Sequence, residues 1–389
     1  MYQERKMKKF GGIDGLRGWL AWAVVASHVI LFTGTAAVVP RAYRITQFLA
    51  DNAVLLFVII SGFVITHLLI SRRERYALYI KRRALRLYPV YIVALAVGII
   101  GTYLAFNTFL AQPWGPLSPP IARMASQRAE LVGGHLIAHL IAHLTLLHGA
   151  IPNNVLFESQ YMFLAPAWSL SLEWQFYLVA PFVIAAALDR RWRWALGAMA
   201  LAFFELYIHG RLGSFVLPSF LPGAVWYFAT GIVSRIAMQP RRRGWVAAGC
   251  MLVVFVAWRG VGAALPMFIW AIFVALMLAS GGPARRIFAA LFESRIARWF
   301  GDHSYPTYLI HVPLVQIGTW VAVTQMHLSP LRTLAGVAPV TVVLVAGAAM
   351  LLRRYIEEPG MALGKRLSQP SSAPPEHPDV TFKTQRPAS

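Results

Sequence analysis

Cysteine is nearly absent. Cys250 stands alone, so the chain can form neither an internal disulfide nor a thiolate metal cluster, and cysteine usage says nothing about redox compartment. It lies in an apolar run and reads as a packing residue. Charge is scarce as well: 13% of residues are charged against 58% hydrophobic, and several apolar runs continue for about 20 residues. That balance excludes a globular soluble protein, because the solvent of most of the chain is lipid. No period repeats along the sequence, and no second folded domain is marked. Acidic residues number 15 against 36 Lys and Arg, giving a formal charge of +21. An excess of that size can serve nucleic acid, but here its distribution follows membrane topology instead.

Read for length, the runs predict an all-α fold, a polytopic transmembrane helical bundle of about ten spans with one re-entrant or interfacial helix. The spans fall at roughly 15–37, 47–70, 85–106, 167–188, 194–209, 219–237, 244–258, 264–280, 303–323 and 333–352. With the amino terminus placed in the cytoplasm, 29 of the 36 Lys and Arg lie on the inner side and seven on the outer. Every inner loop is richer than every outer one, as the positive-inside rule demands. Both termini are thus expected in the cytoplasm of a multi-pass protein. Residues 1–14 form a basic amino-terminal segment, 15–358 the transmembrane domain, and 359–389 a largely disordered tail rich in Pro, Ser and charge from Ser368 onward. Arg5, Lys6, Lys8 and Lys9 before an apolar run mimic a signal peptide, whereas Asp14, Arg17 and His28 fit a retained first span.

One outer stretch, Leu131 to Ala150, is almost long enough to cross. Crossing would carry Arg190, Arg191 and Arg193 to the outer side and break the alternation, so the stretch is read as re-entrant or lying on the outer face. Its His135, His139 and His143 fall at i, i+4, i+8. That spacing is compatible with ligation, but no carboxylate stands among them, and the reading is an interfacial polar stripe without a metal. Before it, Asn107 to Glu130 carries Pro113, Pro116, Pro119 and Pro120 and is a long outer loop, the kind of connection where a substrate is often received.

The first span holds two residues that are costly in lipid. Arg17 and His28 are eleven residues apart, about three turns, so they share a helix face about 16 Å apart. Two readings are open for His28: a reacting imidazole, or one satisfied by a neighbouring helix. Arg82, Arg83 and Arg86 open the third span, with Arg83 and Arg86 on one face. They serve as topology anchors or as guanidinium forks for phosphate. Glu173, in Trp168-Ser169-Leu170-Ser171-Leu172-Glu173, enters from the outer side to a depth near that of His28, where a carboxylate could orient an imidazole; a local cap is the other reading. Tyr305, Tyr308 and His311 line a ninth span broken at its start by Pro306. His311 is a second polar group or a packing hydrogen bond, and Ser61-Gly62 allows close helix approach.

In this order, Ile13-Asp14-Gly15-Leu16-Arg17-Gly18 with His28, Phe57-Val58-Ile59-Ile60-Ser61-Gly62-Phe63, the Arg83/Arg86 pair, Trp168 to Glu173 with Gln175-Phe176-Tyr177, and Ser304 to His311 resemble membrane-bound acyltransferase family 3. Trp174 departs from the family's more frequent Glu, leaving one carboxylate at that place. The resemblance implies a bacterial inner-membrane enzyme that takes an acyl group, usually acetyl, from cytoplasmic acyl-coenzyme A. It passes that group to a hydroxyl of an extracytoplasmic or membrane-associated carbohydrate. On matching positions it implies Arg17, Arg83 and Arg86 as donor-binding residues and His28 with Glu173 as catalytic. Asp14, Ser61, Trp168, Ser171, Tyr305 and His311 would support the substrate or the site. The acceptor stays open among lipopolysaccharide, exopolysaccharide, a lipid-linked sugar and a small hydroxylated product. A proton-coupled transporter using His28, Glu173 and His311, or a non-catalytic polysaccharide-export component, are the rival readings. No matched pair of interrupted helices supports the transporter.

Overall fold

The computed structural model describes residues 10, 12–72, 74–110, 126–239 and 244–367. The basic residues Arg5 to Lys9, the four prolines of the outer loop and the tail from Ser368 lie outside them. Among the described residues all regular structure is helical, as lipid requires of a backbone that must satisfy its own N–H and C=O groups.

In chain order the helices are α1 (Gly12–Phe32), α2 (Pro40–Ser71), α3 (Tyr76–Leu110), α4 (Leu136–Leu144), α5 (Ala167–Leu188), α6 (Arg193–Ile208) and α7 (Leu221–Ala237). There follow α8 (Gly244–Leu278), α9 (Gly282–Phe292), α10 (Arg295–Asp302), α11 (Ser304–Trp320), α12 (Pro330–Leu352) and α13 (Glu358–Arg366). Seven of them, α1, α2, α3, α5, α8, α11 and α12, the last two lengthened by the turns that follow them, are long and apolar enough to cross a membrane. The expected count of ten is higher for two reasons. α6 and α7 have 16 and 17 residues and rise about 24 and 26 Å, short of a hydrocarbon core about 30 Å thick. The runs 244–258 and 264–280 are two helical stretches of α8 separated at Gly260, whose φ 84° and ψ 165° are not helical, and the pair counts once among the seven. Pro306 does not break α11 either. It sits in the first turn, where its missing N–H is not needed.

α2 is the central column, packed against α1, α7, α5 and α8. A side chain on Gly62 would stand 2.5 Å from the carbonyl oxygen of Phe228 on α7, and Gly231 meets α2 at the Ile59 carbonyl in the same way. The packing role expected of Ser61-Gly62 is the one observed. Phe176 and Phe228 stack at 4.1 Å beside this contact. Outward, Ile100, Val253 and Val343 are exposed, an apolar surface that a bilayer covers. At the far end a π-helical turn, Arg353–Glu357, joins α12 to α13, and α13 lies against α3 with Gly364 beside the stem of Arg82. The segment expected as tail therefore begins with a packed helix.

α4, nine residues and about 14 Å long, is too short to span. It is turned inside out for a soluble protein: Ile137, Ile141 and Leu144 are exposed, while His139 and His143 are fully buried. The three histidines do not form one stripe. Gly134, at φ 100°, breaks the preceding turn, so His135 is left outside α4 and mostly exposed. Glu130, not considered with them above, lies 3.2 Å from His135 Nδ1 and 3.8 Å from His139 Nε2. Among the described residues no group of three or more such side chains is arranged to hold a metal ion.

Inside this cap the His143 ring stacks on His148 at 4.1 Å and 5°. Burial pushes His143 down from 6.5 to about 4 and His148 well below its ordinary value, with His139 further opposing charge on His143, and His143 on His148. The carboxylate facing the cluster, Glu130, approaches His139 rather than the stacked pair. Between pH 6.5 and about 4 the unfolded chain binds more protons than the folded one, so stability is complete above that window and is lost as pH falls through it. The melting temperature of the solubilised protein is expected to be level above pH 6.5 and to drop toward pH 4. An equally steep drop in a His143→Gln, His148→Gln double variant would show that other groups drive it.

Candidate functional site

α1, α2, α3, α5 and α11 converge on a cavity of about 200 Å³. Asp14, Arg17, Ser61, Arg83, Arg86, Glu173 and Tyr305, seven residues singled out from the sequence, line it together. The helix period explains the selection on α3. Arg83 and Arg86 are one turn apart and face inward, while Arg82, one residue before them, turns away and pairs with Glu74 at 2.7 Å. The run of three arginines thus divides into one anchor and two cavity residues.

The cations are not fully used by the protein. The Nε–H groups of Arg17 and Arg83 are buried and meet no acceptor among the described residues. Leaving such a donor unmade costs about 1–3 kcal/mol, more for a charged group, so the cavity is built for an occupant carrying acceptor oxygens. Arg83 also lies 5.8 Å from the Tyr177 ring centroid.

Glu173 has partners of its own. Its Oε1 accepts from Ser61 Oγ at 3.0 Å and from the Tyr177 hydroxyl, one turn further along α5. The carboxylate is thereby fixed at the cavity wall, and the ring it was expected to orient, that of His28, is held by something else. Tyr305 donates to the Leu87 carbonyl at 2.6 Å, tying α11 to α3.

His28 and His311 are not among the lining residues; they stand behind Tyr308, which is. The Tyr308 hydroxyl is 2.8 Å from Ser169 Oγ, and its ring lies 6.0 Å from that of His311. His311 Nε2 is 3.1 Å from His28 Nδ1. Two backbone carbonyls settle the proton positions of the neutral rings. Thr307 O, 3.2 Å from His311 Nδ1, can only accept, so that nitrogen carries the hydrogen and His311 Nε2 is a lone pair. His28 Nδ1 then donates, shared between His311 Nε2 and the Val24 carbonyl at 3.1 Å. The remaining nitrogen, His28 Nε2, keeps its lone pair for chemistry. The geometry is compatible with a base and its orienting partner, with an imidazole in the place often taken by a carboxylate.

Two further expectations resolve as structure. The Ser171 hydroxyl accepts from Gly149 N–H at 3.0 Å, and Gln175 bridges Ser219 O and Leu221 N at 3.0 and 2.9 Å. These bonds pin the outer turns onto α5. Trp168 is partly buried against the core.

One residue was missed. Glu357 is 6% exposed, its Oε2 has no partner among the described residues, and it lies in the field of Arg86, Arg17 and Arg353. A carboxylate this close to an apolar span is the available signal. It does not line the cavity but ends the π-helical turn Arg353–Glu357 that follows α12, a distortion common at functional sites.

The acyltransferase domain family matches residues 10–353 of the chain. Acyltransferase MdmB of Streptomyces mycarofaciens is 24% identical over 420 aligned positions, which cover 97% of this chain and 99% of that protein. No solved structure matches.

Proposed function

Because the chain belongs to this acyltransferase family and is an integral membrane O-acyltransferase, we propose that it moves an acetyl group from cytoplasmic acyl-coenzyme A to a carbohydrate hydroxyl at the outer face of the bacterial inner membrane. Both termini are cytoplasmic in this reading, which takes the ten crossings of the Lys and Arg tally rather than the seven longest helices alone. The observation that carries the donor is the cavity: Arg17, Arg83 and Arg86 converge in it, and two of them hold buried Nε–H donors without acceptors. Phosphate oxygens of coenzyme A would take these donors, bidentately where the guanidinium fork allows. The arm then runs toward the Tyr308 end, and the 16 Å from Arg17 to His28 along α1 is comparable with the reach of a pantetheine arm.

His28 Nε2 removes the acceptor hydroxyl proton as the oxygen attacks the thioester carbonyl. The new C–O bond forms, the C–S bond breaks, and the imidazolium returns its proton to the leaving thiolate. His311, accepting from His28 Nδ1, stabilises the imidazolium while it lasts. In the covalent variant the same lone pair attacks the thioester carbonyl first and the coenzyme A thiolate leaves; the acceptor hydroxyl then attacks the acyl carbon, the C–N bond breaks, and the hydroxyl proton passes to the freed imidazole. Glu173, held by Ser61 and Tyr177, positions the acceptor or the thioester rather than the ring.

Purified protein in lipid nanodiscs, given labelled acetyl-coenzyme A and a panel of lipid-linked and free glycans, is expected to release free thiol only when a suitable acceptor is present. Tight coenzyme A binding with no acceptor-dependent release from any glycan would remove the carbohydrate. Absence of coenzyme A binding would remove the donor.

A further inference from the structure

A second cationic feature, which the reaction leaves unused, stands beside the cavity at the end away from Tyr308, reached through two lining residues. His67 lies six residues beyond Ser61 on α2, about 9 Å further along the axis. It lines the cavity together with Phe10, whose ring meets it edge-on at 5.1 Å. Arg235, in the last turn of α7, donates its Nε–H to His67 Nδ1 at 3.0 Å, and its guanidinium carbon lies 6.0 Å from the Phe10 ring centroid.

This arrangement is unusual for an arginine that only anchors topology. It is half-buried, yet no carboxylate pairs with it among the described residues, where Arg82, Arg285 and Arg353 each have one. Its protein hydrogen bond goes to a neutral imidazole and uses Nε alone. Among the described residues the two terminal nitrogens meet no acceptor, which leaves the edge with which a guanidinium takes two phosphate oxygens at once. A point charge would not need the His67 bond, which fixes the fork's orientation.

Building on the donor assignment above, we infer that Arg235, oriented by His67 and flanked by Phe10, forms a mouth subsite for a terminal phosphomonoester of the donor nucleotide. In a donor held by Arg17, Arg83 and Arg86 with its thioester toward Tyr308, the group left at the mouth is the ribose 3′-phosphate. The same phosphate chemistry is offered by anionic lipid headgroups, and the test separates the two.

Affinities of coenzyme A and 3′-dephospho-coenzyme A are measured for the wild-type protein and for Arg235→Gln in nanodiscs of neutral lipid, then with a fraction of anionic lipid. The wild type is expected to prefer coenzyme A by about tenfold or more, the range of one charge-assisted phosphate contact. In Arg235→Gln the preference collapses to within about twofold, with 3′-dephospho-coenzyme A bound as before. Arg235→Lys, a conservative change that keeps the charge but not the fork, retains part of the preference. A wild type that binds both compounds equally overturns the subsite while leaving the donor assignment standing. A preference that survives Arg235→Gln, or changes only with anionic lipid, overturns it too. Should Arg235→Gln fail to fold, competition by adenosine 3′,5′-bisphosphate but not adenosine 5′-monophosphate on the wild type decides the same point. No binding of either compound would bring down the donor assignment and this subsite together.

Discussion

Replacing His28 by alanine is expected to lower acceptor-dependent acyl transfer by about 10²–10⁴-fold, the usual contribution of a positioned general base, with membrane insertion unchanged. The size follows from the proton inventory. The Val24 and Thr307 carbonyls fix both hydrogens of the His28–His311 pair, so one lone pair remains, on His28 Nε2. Alanine removes it, and the lone pair freed on His311 Nε2 lies a ring away from that position. His311→Gln should act differently. It leaves the lone pair in place but loosens the tautomer and removes the acceptor that steadies the imidazolium, so the loss is expected to be about 10–100-fold, with a displaced pH profile. A residue needed only for packing would lower the amount of folded protein and leave the profile of the remainder in place. Single-turnover measurement without acceptor separates the two chemistries. One equivalent of thiol per enzyme means an acyl-imidazole; none means a base. Near-normal transfer by His28→Ala in intact membranes would remove the imidazole from the mechanism.

The second large effect belongs to the donor. Arg83→Ala deletes a cation whose buried Nε–H has no protein acceptor, and Arg17→Ala deletes its counterpart across the cavity. A hydrogen bond to a charged group is worth about 1.5–3 kcal/mol, so each change is expected to weaken coenzyme A binding roughly 10–100-fold while acceptor affinity stays within about twofold. Arg82→Ala is the internal control. Its side chain is spent on Glu74 at 2.7 Å, away from the cavity, and donor affinity should not change. Equal losses for Arg82 and Arg83, or no loss for Arg83, would make the whole run a topology anchor.

Much of the site was legible in the sequence because lipid makes polar residues conspicuous. Arg17, Ser61, Arg83, Arg86 and Glu173 stand out as polar groups in or beside apolar runs, and the structure collects all five around one cavity. Glu357 was not legible, because it ends a π-helical turn that no regular helical count includes. The histidine pair was half legible. His28 and His311 are each visible as intramembrane imidazoles, but 283 residues separate them, and their contact at 3.1 Å depends on how α1 packs against α11. The expected partner, Glu173, sits at a similar depth, which is what distance along a helix can show; rotation about the helix axis turns it to Ser61 and Tyr177 instead.

The sequence by itself determined the solvent, the helical class, the long spans and the polar residues that must face the interior, because hydrocarbon leaves a backbone few options and places a high cost on charge. Tertiary structure alone decided which of those residues touch. It separated Arg82 from Arg83, joined His28 to His311, buried Glu357 and left Arg235 open beside His67. Side-chain pairing between helices depends on rotation and crossing, set by close contacts such as Gly62 against Phe228, and no periodicity along one chain encodes these relations between two.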